Sequence, residues 1–255
     1  MIATLLLAAA AADPGLTICA DRPSKANATC TVPADHWQVE ISAVDWARTA
    51  DHGASAEVTA IGQSLVKLGL TDRSDIELGV APFVRAETHA AGLRRVVSGP
   101  GDATIRYKLR LTKPSGATQL AVVPFVKLPT ASRKLGNGKV EGGLAVPVSF
   151  SIANGPTITI GPELDLLSDG DGRGYHAGIV NLVNLSISPA PRLTVSAELW
   201  NARNFDPDGA TSLWSADVSA ALLTSNRVQL DVGANFGLNR NTADTEFYAG
   251  AAFLF

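Results

Sequence analysis

From position 36 to the last residue, apolar and polar side chains alternate with a period of two. In 227–239, Val228, Leu230, Val232, Ala234, Phe236 and Leu238 alternate with Gln229, Asp231, Gly233, Asn235, Gly237 and Asn239. Such alternation puts one set on each face of a β-strand. Segments 156–166 and 139–152 repeat it, with Ile158, Ile160 and Leu164 in the first and Leu144, Val148 and Phe150 in the second. Extended along the chain, the pattern predicts about twelve strands, near 36–47, 57–70, 75–87, 101–112, 118–129, 139–152, 156–167, 175–188, 192–203, 212–223, 227–238 and 245–255. Each has the length of a strand that crosses a bilayer. Gly62 and Ser64 interrupt the apolar face of 57–70, and Asn181 that of 175–188, which marks a bulge or register change in either.

The connections alternate as well. Tight turns built of turn formers follow the even-numbered strands at 71–74, 113–116, 153–155, 189–191 and 224–226. Longer polar segments follow most odd-numbered ones at 88–99, 130–138, 168–174 and 204–210. The predicted fold is all-β, an up-and-down antiparallel transmembrane β-barrel of about twelve strands over 36–255, with both termini on the short-turn side. In the last strand Phe247, Phe253 and the terminal Phe255 share one face. An amphipathic strand ending in Phe resembles the assembly signal of Gram-negative outer-membrane barrels. That makes Phe253 and Phe255 the expected contact with the barrel-assembly machinery. Trp37, Trp214 and Phe253 sit on the apolar face near strand ends, as interfacial anchors do.

Composition changes this picture little. The 255 residues are 46% hydrophobic and 18% charged, with a net charge of −3. Disorder is excluded by the first figure, and a basic field for nucleic acid by the last. Residues 1–12 are apolar and end in Ala10-x-Ala12, the pattern of a short secretory signal peptide. The following 13–35 segment, expected in the periplasm, carries the only cysteines, Cys19 and Cys30. In an exported chain such a local pair predicts a disulfide, stabilising by on the order of 2–3 kcal/mol through loop entropy.

Charge sorts onto the polar face, where Glu40, Lys67 and Glu77 are among about eighteen ionisable residues. A midplane Arg or Lys facing lipid costs roughly 2–4 kcal/mol, so this face lines the lumen. Arg85, Arg106, Lys108, Arg110, Lys127 and Lys139 come from the third to sixth strands and predict a basic wall. Glu163, Asp165, Glu198, Asp217, Asp231 and Glu246 come from the seventh to twelfth and predict an acidic wall opposite. Two consequences stay open. Opposed walls would orient polar solutes in a pore, or their side chains would pair across a narrow lumen and close it.

An enzyme is not expected. His36, His52, His89 and His176 fall in loops or at strand ends without a serine partner at motif spacing, and no nucleophile elbow, zincin or phosphate-loop motif occurs. No metal or other cofactor is expected.

Several stretches are similar to a family of outer-membrane transporter-like barrels grouped under phenol degradation (meta-pathway). They are Asp21-Arg22-Pro23, Thr31-Val32-Pro33 and Trp37-Gln38-Val39-Glu40; Gly69-Leu70-Thr71-Asp72-Arg73 leading into Ile76-Glu77-Leu78-Gly79; Gly101-Asp102 before Ile105-Arg106-Tyr107-Lys108-Leu109; and Val126-Lys127-Leu128-Pro129-Thr130. The resemblance implies a barrel in the outer membrane, surrounded by its lipid and passing small solutes. Arg106, Lys108 and the cysteine pair depart from it. The functional expectation is a channel or transporter for small solutes, the alternatives being a plugged or loop-binding barrel and, third, a lipid hydrolase.

Overall fold

The computed structural model describes residues 16–153 and 155–255. The signal-peptide expectation for 1–12 and the turn residue Asn154 lie outside the described residues. Seventeen strand segments form one antiparallel sheet that closes on itself. With collinear segments joined, twelve strands result. They are β1 (Trp37–Asp51), β2 (Ala54–Ile61 and Gln63–Thr71), β3 (Ser74–Val80 and Phe83–Ala90), β4 (Leu93–Gly99 and Ala103–Arg110), β5 (Thr118–Leu128) and β6 (Glu141–Ala145 and Val148–Ser151). β7 (Thr157–Ile160 and Glu163–Ser168), β8 (Tyr175–Ala190), β9 (Leu193–Asn204), β10 (Thr211–Ser225), β11 (Val228–Gly237) and β12 (Thr245–Leu254) complete the barrel.

β1 closes the barrel by pairing on both sides, with Gln38 opposite Leu254 of β12 and Trp37 opposite Leu68 of β2. Closure removes the sheet edges that a bilayer does not tolerate. The side chains sort oppositely to those of a water-soluble protein. Leu164, Val183 and Val232 are more than half exposed on the outside, whereas the largest fully buried side chains are Lys67, Lys108, Gln38, Glu40 and Glu77. Outward Trp37 and Trp214 both lie near the start of their strands, and because β1 and β10 run in opposite directions they flank the apolar band at opposite rims.

Five strands break where the sequence places Gly or Pro: at Gly62, Ala81-Pro82, Pro100 to Asp102, Val146-Pro147 and Gly161-Pro162. Pro cannot donate to a ladder, so the wall bends there. Backbone bonds still bridge the bends, from Gly62 N to Ser42 O (2.9 Å), Gly101 N to Ala81 O (2.8 Å) and Val146 N to Pro162 O (2.9 Å).

Three expectations change. Segment 88–99 is not a loop: β3 and β4 run on to a two-residue turn, Ala91-Gly92, at φ 50° and 75°. Positive φ at both positions is the hairpin geometry that matches strand twist. Second, Arg85 leaves the lumen. Below the break at Ala81-Pro82 the odd positions Asp75 and Glu77 are buried, but above it Phe83 is outward and exposed. Arg85 shares that face, paired with Thr59 as Phe83 is with Ile61. Third, β8 runs unbroken through Asn181, which stands outward beside Asn201 of β9; the register shift lies between Ile187 and Ala190.

Candidate functional site

The expected periplasmic segment is, over its described part, inside the barrel. It meets the short-turn rim at Ile18, whose N–H donates to Asn226 O (2.8 Å). It returns to that rim at Thr31 and Val32, whose hydroxyl and N–H donate to Asp72 O (3.1 Å) and Asp75 Oδ2 (2.8 Å). Between these points the chain forms a hairpin closed at its base by the Cys19–Cys30 disulfide. Gln38 clamps the first arm, its amide donating to Cys19 O (2.7 Å) while its oxygen accepts the Cys19 N–H (2.9 Å). The second arm crosses β2 at Gly69, where a Cβ would lie 1.9 Å from Pro33 O. No other residue fits that crossing.

One side of the hairpin is welded to the wall of β1 to β4 by ionic groups. Asp21 meets Lys108 at 2.6 Å, Lys67 at 2.9 Å and Arg106 at 3.3 Å. Glu40 accepts the N–H groups of Asp21 (3.1 Å) and Arg22 (3.0 Å) and pairs with Lys67 at 2.5 Å. Glu77 meets Arg106 at 2.7 Å and Lys108 at 3.3 Å. Lys67, Lys108, Glu40 and Glu77 are at most 1% exposed in their side chains. Charges this deeply buried survive only when paired. Burial works against the Asp21 carboxylate, yet Lys108, Lys67 and Arg106 together hold it well below the ordinary carboxylate range.

The other side carries the opposite sign. Arg22 donates to Asp231 from Nε (3.1 Å) and from its terminal nitrogen (2.7 Å), with its guanidinium 5.8 Å from the Tyr248 ring centroid. Lys25 reaches Asp217 at 2.6 Å and the Ser215 hydroxyl at 3.0 Å, over the Trp200 ring at 5.0 Å. The amides of Lys25 and Ala26, both at 3.2 Å, donate to the Glu198 carboxylate. At the tip, Arg106 donates to Asn27 Oδ1.

Of the basic residues expected on one wall, the structure brings Arg106 and Lys108 together at Asp21. Arg110 is inward near the short-turn rim and donates to Asp72 O (2.5 Å). Lys127 lies toward the long-loop rim, bridging Asp102 (3.2 Å) and Glu141 (2.8 Å). Lys139 precedes β6 and donates to Gly172 O (2.8 Å) in a loop. Arg85 bonds Glu87 (2.6 Å) on the exposed outer face. Of the acidic set, Glu198, Asp217 and Asp231 hold the hairpin, Glu163 borders a cavity, and Glu246 accepts from Asn235 (2.7 Å). Asp165 sits opposite Gly143, inside the wall. The basic set therefore does not face the acidic set across open space, because the hairpin stands between them and pairs with both. Glu40, Lys67, Asp75 and Glu77 join the site without having been assigned to either wall.

Among the described residues, three cavities adjoin the hairpin. One of about 400 Å³ lies against β2 to β4 and is bordered by Arg106, Asp102, Thr104 and Lys25. A second, about 330 Å³, runs along Glu163, Pro147, Leu182 and Trp200. The third, about 220 Å³, separates the hairpin from β7 to β9 and reaches Ala221 of β10 and Gln229 of β11. Phe255 ends the chain at β1, exchanging backbone bonds with Trp37 (2.8 and 3.3 Å).

No curated protein matches the chain in sequence. In structure it is similar to an outer-membrane channel from Pseudomonas putida F1, with a TM-score of 0.71, 13% identity, and coverage of 91% of this chain and 99% of that one. It is also similar to the β domain of the Bordetella autotransporter BrkA, with a TM-score of 0.52, 12% identity, and coverage of 88% and 100%. These likenesses show the fold. Closed barrels with an outward apolar band and a polar lumen belong to outer membranes, and that is where this one resides. The family described as "Putative MetA-pathway of phenol degradation" matches residues 20–255, nearly all of the described chain, and the protein belongs to that family.

Proposed function

We propose that the protein is a passive channel for small solutes whose lumen is narrowed from the periplasmic side by its own N-terminal hairpin. One observation carries this reading. The hairpin spends its charges on the walls, Asp21 on the basic side and Arg22 and Lys25 on the acidic side, and still leaves cavities of about 400 and 330 Å³ beside it. The two walls serve as a docking seat, and the solute passes through what the hairpin does not fill. The Pseudomonas protein of similar fold is itself called an outer-membrane channel, which supports the reading. Ionic and hydroxyl linings favour polar solutes over the phenol of the family description. Outer-membrane lipid surrounds the apolar band, and the barrel-assembly machinery is the proposed partner of β12 through Phe253 and Phe255.

Conductance of the refolded protein in planar bilayers tests it. Small single-channel steps are expected for the wild type and larger ones after the reversals Asp21→Lys and Lys25→Glu, which repel the hairpin from its seat. Absence of steps in both would overturn the channel.

A further inference from the structure

The hairpin contacts its two sides differently. Toward β1 to β4 buried ion pairs at Lys67, Glu77 and Lys108 seal the part near the short turns, and the 400 Å³ cavity lies beyond them. Toward β7 to β9 the wall carries hydroxyl and amide side chains, and the 220 Å³ cavity lies between them and the neutral hairpin residues Ala20, Pro23 and Ser24. Thr159, Asn184, Ser186, Thr194 and Ser196 supply that wall. They come from the short-turn halves of their strands, on the inward face shared with Glu163 and Glu198. They bond one another, Ser186 to Ser196 at 2.9 Å, Ser186 to Asn184 at 2.7 Å and Thr159 to Ser149 at 2.8 Å. Each hydroxyl keeps capacity for a further partner, because it can donate once and accept twice. Asp21 and Arg22 border the same cavity, but their charges are turned to Lys67 and Lys108 and to Asp231. Asn27 borders both this cavity and the 330 Å³ one, which lies along the same strands farther from the short turns.

We infer that this uncharged corridor is the periplasmic exit of the channel and that it selects neutral polyhydroxylated solutes of polyol or small-sugar size; the inference rests on the channel reading above. A water occupies roughly 30 Å³ in the liquid, so 220 Å³ holds on the order of seven waters or one such solute. A solute hydroxyl leaving water finds a donor or acceptor at each step. Neutral hydrogen bonds contribute only about 0.5–1.5 kcal/mol net, weak enough to let it go again. An ionic solute finds no free counter-charge there and loses its hydration.

The full mature protein in liposomes tests this by osmotic swelling in arabitol or glucose, against gluconate, with planar-bilayer conductance measured in parallel. Cys19 and Cys30 are disulfide-bonded and no free cysteine exists among the described residues, so Ser196→Cys and, separately, Thr159→Cys can be labelled with a bulky neutral thiol reagent. Wild-type swelling should be several-fold faster in the neutral solutes than in gluconate. Labelling at either position should cut neutral-solute swelling several-fold. Complete labelling at both positions with unchanged arabitol flux, or gluconate entering as fast as arabitol, would overturn the corridor while leaving the channel intact. Absence of both swelling and conductance in the wild type would overturn the channel itself and the corridor with it.

Discussion

Asp21 and Lys108 meet at 2.6 Å inside the barrel, the lysine side chain 0% exposed and the aspartate 11%. One belongs to a segment outside the barrel in sequence and the other to its wall, so the contact fixes where the hairpin sits. Lys67 and Arg106 share the same carboxylate, which makes Asp21 the pivot of the seat.

Asp21→Asn keeps the shape and removes the charge, leaving three cations to share Glu40 and Glu77. Breaking a buried pair in this way costs roughly 3–5 kcal/mol, against the smaller loss expected for an exposed one. The hairpin should leave its seat for a larger fraction of the time. Single-channel recordings should show longer and larger openings than the wild type, and unchanged openings would contradict the pivot role.

The dependence on pH follows from the same group. Its carboxylate is held below the ordinary range when docked, so its contribution is complete above the unfolded carboxylate value of about 3.9 and fades as pH falls below it. Labelling of a Ser24→Cys probe on the hairpin, taken relative to a free thiol at the same pH because only the thiolate reacts, should therefore keep one relative rate between pH 7 and pH 5 and accelerate only in stronger acid. Acceleration already at pH 5 to 6 would place the docking in another group.

Twelve strands and their faces were legible because lipid outside and polar lumen inside impose a strict period of two, as in Gln229 to Leu238. Segment 88–99 misled because its strands stand above the apolar band. With water on both faces, Arg94, Arg95 and Ser98 need not alternate with apolar residues, and a strand there looks like a loop. Arg85 misled through parity: counting by twos across Ala81-Pro82 assumes an unbroken strand, and the break reverses the face. The hairpin was not legible at all. It has no regular period, and its partners Glu40, Lys108 and Asp231 are set by closure of the barrel. The available signal was two cysteines bracketing Asp21, Arg22 and Lys25 beside walls of both signs.

Gly69→Ala tests the crossing of the second arm. An alanine Cβ would sit 1.9 Å from Pro33 O and 2.6 Å from Val32 O, both backbone atoms with no side-chain freedom to yield. The arm must lift from β2, losing the bonds from Asp35 N to Gly69 O (3.0 Å) and from Gly69 N to His36 O (3.0 Å). Barrel assembly should persist, since the clash lies with the hairpin, while the conductance step rises. A barrel that assembles with wild-type conductance would show the arm free to shift.

The assignment of faces has its own test in β11, where Val232 is 55% exposed to the outside and Gln229 is buried toward the lumen. Val232→Arg places a guanidinium in the lipid band at a cost of roughly 2–4 kcal/mol near the midplane. That penalty falls on the strand before the barrel closes, so little folded protein should form, read as loss of the heat-modifiable band on cold electrophoresis. Gln229→Glu adds a charge of the opposite sign only three positions away, in the lumen and next to Arg22, to whose backbone oxygen Gln229 donates at 3.0 Å. It loses that donor and sets a second carboxylate beside Asp231, which weakens the hairpin's seat, but it meets no lipid. Assembly should survive there, and equal loss at both positions would mean that β11 does not present Val232 to the bilayer.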